Sequence, residues 1–266
     1  MARVRRALGT RAVGHAGTLD PFATGLLIVL AGRATRLARF VERQVKRYRA
    51  DVTVGTATDT DDRTGAVIRE LVPSPWQSEA VVRDALQTLQ GTYPQAPPAY
   101  SARKVEGRRA YAIARAGGVP ELEPREVTVH SIELIRWAPP VATIETVVSA
   151  GTYVRAMARD LGERLGAAAH CSALRREAIG AFRADDALTL DRLAKDSPLL
   201  APLDLRGDMP RVELDAEAVR AVAHGRPVAA VAQTADEVAL VADDRLIAVA
   251  VFHEGWWQPR VVLEAA

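Results

Sequence analysis

Residues 47–54 alternate between polar and apolar side chains, a pattern that restricts the segment to a β-strand with one buried face. Its apolar phase begins with Tyr48, and its polar phase contains Arg47, Arg49 and Asp51. Because successive side chains of a strand point to opposite faces, Tyr48 is predicted to lie on the apolar face, away from both arginines. On the pattern alone, such a tyrosine is more often a core aromatic than a pocket residue.

Other segments place this strand in a mixed fold. Strand patterns recur in EVTVHSIELIRW (126–137) and VATIETVVSAG (141–151). Apolar residues at helical spacing predict one helix after Ser74-Pro75 and another in YVRAMARDLGERLG (153–166). We therefore expect an α+β fold built on a mixed, mainly antiparallel sheet with flanking helices.

A change in composition marks a second part of the chain. Residues 195–210, KDSPLLAPLDLRGDMP, are rich in Pro and Asp and are typical of a linker. A short helix, an HGRPV turn and two strand patterns, DRLIAVAVFHE and QPRVVLE, follow. We expect a larger domain at 1–200 and a small, β-rich C-terminal module at 205–266.

Arginine clusters favour a nucleic-acid partner, although the net charge is only +2 and the pI is 8.9. The clusters lie in residues 1–11, 33–49 and 101–117, and the last two are interleaved with tyrosines. Cations bind phosphates and aromatic rings stack on bases, so the combination favours nucleic acid modestly over solvated helix faces.

Several classes of site are disfavoured. Cys171 is the only cysteine, so neither a disulfide within the chain nor a thiolate metal site is expected. No zinc-type histidine pattern, Walker A loop, GxGxxG or GxSxG motif occurs, and the acidic TDTDDRTG (58–65) lacks calcium-loop spacing and is interpreted as a turn. No segment resembles a signal peptide or reaches the length of a membrane span, so we expect a cytoplasmic protein without membrane contact.

The stretch GHAGTLDPFATG (14–25) holds one carboxylate, Asp20, in a glycine-flanked turn. An Asp-Pro pair is common in turns, so Asp20 taken alone is better explained as a structural residue than as a catalytic one. The apolar run GLLIVL (25–30) predicts a buried strand directly behind this turn.

This stretch closely resembles the signature of the TruB family of tRNA pseudouridine synthases. Four further blocks are similar to that family and follow in the same order: KRYRADVTVGTATDTDDRTG, PPAYSARKVEGRRAYAIARAG, SAGTYVRAMARDLGERLG and AHCSALRREAIGAF. Together the five blocks span nearly the whole chain up to about residue 185. Other pseudouridine synthase families carry the aspartate in GRLD-like or GRTD-like contexts, without the flanking ATG.

The resemblance implies a pseudouridine synthase fold and the isomerisation of uridine 55 in the tRNA T loop to pseudouridine. Uracil is detached from C1′, rotated and rejoined through C5, so neither a cofactor nor a metal is expected. Asp20 matches the family's nucleophile, Arg155 the arginine that pairs with it, and Tyr48 a tyrosine that packs against the base and is discussed as moving the C5 proton. Attack at C1′ and attack at C6 both stay open.

Further residues match substrate-binding positions of the family. Tyr153 matches a second aromatic of the base pocket and Leu174 an apolar wall of it. His15 matches the histidine that occupies the space of the target base once that base has been flipped out of the RNA.

The basic segment at about 96–124 matches the insertion with which the family grips RNA. We expect Tyr100, Lys104 and Arg108 to contact the T arm of tRNA there. The C-terminal module at 205–266 is similar to the small RNA-binding domain of the PUA type.

One departure and two alternatives follow from the comparison of motifs. Family members usually begin with a strand carrying a KPxGxTS-like segment, whereas the printed sequence begins at MARVRRALGT, so an edge strand and its lysine are expected to be absent. The first alternative is a relative acting on another RNA, for instance in a guide-RNA complex; the stand-alone basic insertion argues against it. The second is an RNA chaperone without chemistry. We also expect a monomer, with tRNA-folding activity accompanying catalysis.

Overall fold

The computed structural model describes residues 1–101, 103–105, 107–206, 209–231 and 235–264. The chain divides into two compact units. The first unit comprises Met1–Thr18, Leu27–Glu42 and Leu188–Ala266, and the second comprises Leu19–Leu26 and Arg43–Ala187. The predicted domains at 1–200 and 205–266 stay predictions.

The described residues form six α-helices and eighteen strands. The helices are α1 (Ala2–Leu8), α2 (Ala38–Glu42), α3 (Glu79–Gln87), α4 (Ala110–Arg115), α5 (Val154–Arg164) and α6 (Ala216–Ala223). The strands are β1 (Val13–Ala16), β2 (Thr24–Gly25), β3 (Ile28–Ala31), β4 (Lys46–Val54), β5 (Thr56–Thr58), β6 (Val67–Glu70), β7 (Gly91–Gln95), β8 (Lys104–Val105), β9 (Arg108–Arg109), β10 (Arg125–Ala138), β11 (Val141–Val148), β12 (Ala169–Ile179), β13 (Phe182–Arg183), β14 (Arg211–Glu213), β15 (Val228–Ala229), β16 (Glu237–Ala242), β17 (Arg245–His253) and β18 (Trp256–Val262). Two 3₁₀ segments lie at Gly32–Leu37 and Pro202–Arg206.

The second unit is built on one seven-stranded sheet with the order β13-β12-β4-β11-β10-β7, and β2 adds to β12. All its pairs are antiparallel except β2 with β12, which confirms the prediction of a mixed, mainly antiparallel sheet in an α+β fold. The alternating segment is the central β4, because its antiparallel neighbours β11 and β12 lie on either side of it.

Apolar residues of the sheet and of α3 and α5 form the core of the second unit. In β4, Ala50, Val52 and Val54 are buried and Tyr48 packs against the same cluster, as the alternation predicts. In α5 the predicted helical face is buried: Val154, Met157, Ala158, Leu161 and Leu165. The core therefore fixes the start of α5 against the centre of the sheet.

The first unit contains a small β-rich module at its C-terminal end. The five strands of its sheet follow the order β14-β16-β17-β18-β15, and Trp257 lies at the centre of the core between this sheet and α6. The two predicted strand patterns are β17 and β18, and β1 pairs with β3 at the other end of the sequence. None of the helices within the described ranges has the length and apolar character needed to cross a membrane.

The strand predicted from the apolar run GLLIVL is wrong in its extent. Only Ile28–Ala31 forms a strand there, and this strand belongs to the first unit, whereas Gly25 ends β2 in the second unit. The reason is the left-handed backbone of Gly25, whose φ is 100°, together with the hydrogen bond of the Leu26 amide to the Arg176 carbonyl at 2.8 Å. The run is therefore divided at these two residues.

Cys171 is fully buried in the core of the second unit, as expected for a packing thiol. Burial raises the pKa of this thiol, and the carboxylates of Asp20 and Asp62 raise it further, so the reactive thiolate is depleted at alkaline pH. We expect iodoacetamide at pH 9 to alkylate the folded chain more than about 100-fold more slowly than the chain unfolded in guanidinium chloride. Mass spectrometry over time measures both rates, and rates within tenfold of each other would contradict this environment for the thiol.

Candidate active site

Asp20 lies in a tight turn that is attached to the sheet of the second unit. Its backbone carbonyl accepts a hydrogen bond from the Ala23 amide at 2.9 Å, which closes the turn around Pro21. Directly afterwards β2 pairs in parallel with Arg175 and Arg176 of β12. The turn therefore presents the Asp20 side chain, which is 30% exposed, from a fixed backbone.

Gly25 permits this attachment. A Cβ atom built there would overlap the backbone carbonyl oxygen of Arg176, and the positive φ of Gly25 is one that other residues rarely adopt. A glycine is thus required at position 25 because the backbones of Gly25 and Arg176 approach each other closely.

Arg155 holds the Asp20 carboxylate with two parallel hydrogen bonds. The Nε atom donates to Oδ2 and the Nη2 atom to Oδ1, both at 2.9 Å. Arg155 is in the first turn of α5, and its side chain is only 4% exposed. This two-point geometry fixes the plane of the carboxylate as well as its position.

The other donors of Arg155 are also occupied. Nη1 donates to the Thr60 carbonyl at 2.7 Å and lies 3.4 Å from the Asp62 carboxylate, and Nη2 donates to the Tyr100 carbonyl at 3.2 Å. One buried guanidinium therefore joins the Asp20 turn, the turn at 58–65 and the segment around Tyr100. Its charge is shared between two carboxylates.

The turn at 58–65 is itself ordered by Asp62. The Asp62 carboxylate accepts hydrogen bonds from Thr60 Oγ1 at 2.9 Å and from the Thr64 amide at 2.9 Å. The turn predicted from TDTDDRTG is confirmed, but its function as a support for Arg155 was missed by sequence reasoning. No local signal in a polar turn shows which helix it contacts.

A second arginine of α5 fastens the same turn. Arg159, one helical turn after Arg155, donates to the Asp61 carboxylate at 2.9 Å and to the Ala96 carbonyl at 2.9 Å. Burial raises the pKa of the Asp61 carboxyl, and the nearby Arg159 guanidinium opposes this rise. The spacing of four residues between the two arginines was the available sequence signal, because it places both on one face of a helix.

Tyr48 lies in β4 directly opposite Arg176 of β12. The Arg176 guanidinium lies within hydrogen-bonding reach of the Tyr48 hydroxyl. Burial raises the pKa of Tyr48, Arg176 opposes the rise, and the Asp20 carboxylate is close enough to add to it. The nucleophile candidate and the tyrosine therefore belong to one electrostatic environment.

Tyr153 stands immediately before α5 and is held through its backbone. Gln95, which is 2% exposed, accepts a hydrogen bond from the Tyr153 amide at 2.8 Å and donates one to the Tyr153 carbonyl at 3.2 Å. Sequence reasoning missed Gln95, which lies in the polar stretch TYPQ. This pair of bonds fixes the strand-to-helix junction that positions Arg155.

A cleft of about 250 Å³ opens beside the Asp20 turn. Phe22 and Leu174 supply apolar surface, and Arg63 and Arg175 supply positive charge, whereas Asp20 is not part of the lining. Arg49 and Asp51 also line the cleft, so it combines apolar walls with charged groups of both signs.

The other predicted site residues are placed differently. Tyr100 donates its hydroxyl to Asp59 at 3.4 Å, and Arg108 in β9 is exposed. The Lys104 side chain lies outside the described residues. His15 is in β1 of the first unit, and its buried Nδ1 has no hydrogen-bond partner within the part of the chain that the structure describes.

The structure thus brings Asp20, Arg155 and Tyr48 together, with the backbones of Tyr100 and Tyr153 adjacent to Arg155. Arg108 is exposed, and within the described part of the chain no hydrogen bond or ion pair joins it to them. Across the described ranges, no group of three or more His, Cys, Asp or Glu residues is arranged to hold a metal ion.

Family models match most of the chain. Residues 5–154 match the TruB family pseudouridylate synthase (N terminal domain), and residues 155–201 match the tRNA pseudouridylate synthase B C-terminal domain. Among curated proteins, the chain is 40% identical over 271 residues to the tRNA pseudouridine synthase B of Thermobifida fusca, covering 98% of this chain and 92% of the relative. It is 46% identical over 229 residues to that of Symbiobacterium thermophilum, covering 85% of this chain and 76% of the relative.

Solved structures share the fold. The archaeal box H/ACA sRNP Nop10-Cbf5 complex contains a chain that matches 99% of this chain and 81% of its own length, with a TM-score of 0.72 and 22% identity. A Cbf5-Nop10-Gar1 complex gives a TM-score of 0.73 and 23% identity, over 99% of this chain and 80% of the other. The architecture is therefore the Cbf5/TruB pseudouridine synthase fold with a C-terminal β half-barrel. From the family match over residues 5–154 and the identity to curated relatives along nearly its whole length, the chain belongs to the TruB family of pseudouridylate synthases.

Proposed function

We propose that the protein isomerises uridine 55 in the T loop of tRNA to pseudouridine, with Asp20 as the nucleophile. The observation that carries this proposal is the two-point pairing of Asp20 with the buried Arg155. The guanidinium fixes both oxygens of the carboxylate, and the partial exposure of Asp20 leaves it reachable by a substrate. Both properties are needed by a carboxylate that attacks carbon.

The chemistry balances with the side chains of this chain alone. In the C1′ route, an Asp20 oxygen forms a bond to C1′ as the bond from C1′ to N1 breaks, and uracil leaves with the electron pair. The detached base turns so that C5 forms a bond to C1′ and displaces Asp20, after which the proton on C5 leaves and N1 takes up a proton. In the C6 route, Asp20 adds to C6 of the base, the bond from C1′ to N1 breaks, and Asp20 is expelled from C6 after C5 has bonded to C1′. Both routes keep every heavy atom of the substrate in the product and exchange the C5 proton for one on N1.

Tyr48 and Leu174 are proposed to hold the target base. Tyr48 packs on the core cluster beside Asp20, and Leu174 lines the adjacent cleft. A base in the T loop is stacked, so it must be flipped out at a cost of about a few kcal/mol before Asp20 can reach it. Tyr153 and His15 are proposed as further contacts of the flipped base and of the space it leaves.

Sequence identity favours tRNA over a target chosen by a guide RNA. The curated relatives that are 38–46% identical are named tRNA pseudouridine synthase B, whereas the chains in the H/ACA complexes are only 22–23% identical. Asp20, Tyr48 and Arg155 all come from one polypeptide, so the site is consistent with a chain that binds its substrate by itself. We accordingly propose a monomer that acts in the cytoplasm, where tRNA is modified.

The remaining RNA contacts are proposals of the same kind. The segment at 96–124 is proposed to grip the T arm through Tyr100, Lys104 and Arg108, and the C-terminal module at 205–266 to bind RNA in the manner of a PUA domain. The cation–π contact of Arg115 with the exposed Tyr111 ring supports a basic, aromatic surface in that segment. A tRNA-folding chaperone activity stays a prediction.

The test is turnover on a T-arm stem-loop that carries tritium at C5 of its uridines. Release of tritium into water reports loss of the C5 proton. We expect at most one equivalent of tritium to be released per RNA, and we expect no release when uridine 55 is replaced by cytidine. A structured RNA of equal length without a T loop is the control for specificity. Faster release from the control RNA would support the guide-RNA alternative, and binding or refolding of tRNA without release would support the chaperone alternative.

A further inference from the structure

Arg176 is a buried arginine at the centre of the sheet in the second unit. Only 1% of its surface is exposed, and it lies in β12 directly opposite Tyr48 of β4. Side chains that face each other across an antiparallel pair lie on the same face of the sheet. Burying a guanidinium is unfavourable unless its donors are satisfied, so the partners of Arg176 explain why it is there.

Arg176 links two different parts of the site. Its Nε atom donates to the Leu26 carbonyl at 2.8 Å, and its guanidinium lies within hydrogen-bonding reach of the Tyr48 hydroxyl, which it faces across the strand pair. The backbone of Arg176 also accepts from the Leu26 amide at 2.8 Å. Leu26 ends the segment that begins with the Asp20 turn. Arg176 therefore connects that segment to Tyr48.

The bond to Tyr48 restricts where the tyrosine proton can point. A phenol oxygen has one proton and two lone pairs, whereas a guanidinium has donors only. When Arg176 occupies one lone pair, the O–H bond of Tyr48 must be directed away from Arg176. The positive charge of Arg176 also stabilises negative charge on the phenol oxygen, against the effect of burial.

We propose that Arg176 is a positioning residue for the isomerisation: it orients the Tyr48 hydroxyl towards the base and joins Tyr48 to the end of the Asp20 segment. The inference rests on the proposed function, in which Tyr48 lies against the target uracil. Arg176 is too buried to touch RNA, so its effect on the reaction passes through Tyr48 and Leu26.

The variant Arg176→Lys tests this assignment while keeping the positive charge. A lysine ammonium is a compact group without the planar fork of arginine, so it cannot bond the Leu26 carbonyl and the Tyr48 hydroxyl in the same geometry. We expect the single-turnover rate to fall about ten- to a hundredfold, a part of what a positioned proton-transfer group contributes, with the affinity for the T-arm stem-loop within about twofold. Arg83→Lys, on the exposed face of α3, is the matched control and should leave the rate unchanged.

A spectroscopic readout separates positioning from general damage to the fold. With ¹³C at Cζ of the five tyrosines, the Tyr48 signal is assigned by its loss in Tyr48→Phe. We expect the Tyr48 signal at pH 8 to move in Arg176→Lys and not in Arg83→Lys. The signal of Tyr93, whose pKa burial raises to about 12 without any contribution from Arg176, should stay in place in both variants.

Each outcome decides the proposal. A lower rate with an unmoved Tyr48 signal, or a moved signal with an unchanged rate, would overturn it. If Arg176→Lys does not fold, Tyr48→Phe serves instead: a change in the ¹⁵N signals of the Arg176 guanidinium supports the contact, and unchanged signals refute it. A moved Tyr48 signal in a protein whose wild type releases no tritium would reject the proposed function and leave the contact between Arg176 and Tyr48 standing.

Discussion

Replacing Asp20 with asparagine is expected to lower pseudouridine formation by more than about 10⁴-fold, as removal of a nucleophile does in other enzymes. An amide has nearly the shape of a carboxylate, but it carries no negative charge and does not form the bond to carbon that the reaction needs. Affinity for the T-arm stem-loop should stay within about threefold of wild type, because the change removes one charge and no volume.

The fold should tolerate Asp20→Asn because Arg155 keeps most of its partners. Asp62, the Thr60 carbonyl and the Tyr100 carbonyl remain, and the amide oxygen of asparagine can still accept one of the two hydrogen bonds. We expect a stability loss of about 1.5–3 kcal/mol, the range for one hydrogen bond to a charged group.

Three measurements test this prediction: single-turnover tritium release for the rate, filter binding of the stem-loop for the affinity, and thermal unfolding for the stability. Asp84→Asn, the same chemical change on the exposed face of α3, is the control and should behave as wild type in all three. Turnover by Asp20→Asn within tenfold of wild type would show that another group performs the attack.

Periodic segments could be predicted from the sequence because their pattern is local. The phase of Tyr48 in β4 and the buried face of α5 follow from spacings of two and of three to four residues, and the structure confirms both. The run GLLIVL is uniformly apolar and has no period, so the pattern could not show that Gly25 and Ile28 belong to different strands. That division depends on the backbone of Arg176, about 150 residues away in the sequence.

The arrangement of the site is a long-range property, so spacing could not supply it. Asp20 and Arg155 are 135 residues apart, and their pairing was an expectation from family resemblance before the structure showed the two hydrogen bonds. No resemblance of motifs pointed to Asp62 or Gln95 as supports. Their positions are set by which turn and which strand pack against the start of α5.

Arg155→Met should remove both activity and stability, in contrast to Asp20→Asn. Methionine has a similar length and no charge, so the Asp62 carboxylate, whose side chain is 6% exposed, loses the cation beside it. The carbonyls of Thr60 and Tyr100 lose their donor at the same time. Breaking a buried ion pair in this way costs about 3–5 kcal/mol, and we expect the free energy of unfolding to fall by that amount.

The catalytic loss in Arg155→Met should exceed about 10²-fold even where the chain is still folded, because the two hydrogen bonds that fix the plane of the Asp20 carboxylate are lost. Urea unfolding followed by circular dichroism gives the stability, and tritium release at a temperature well below the transition gives the rate. Arg164→Met, near the exposed C-terminal end of α5, is the matched control and should lose less than about 1 kcal/mol and little activity. An unfolding free energy within about 1 kcal/mol of wild type for Arg155→Met would contradict the structural part of this account, since two carboxylates cannot lose their shared guanidinium in a buried site without such a cost.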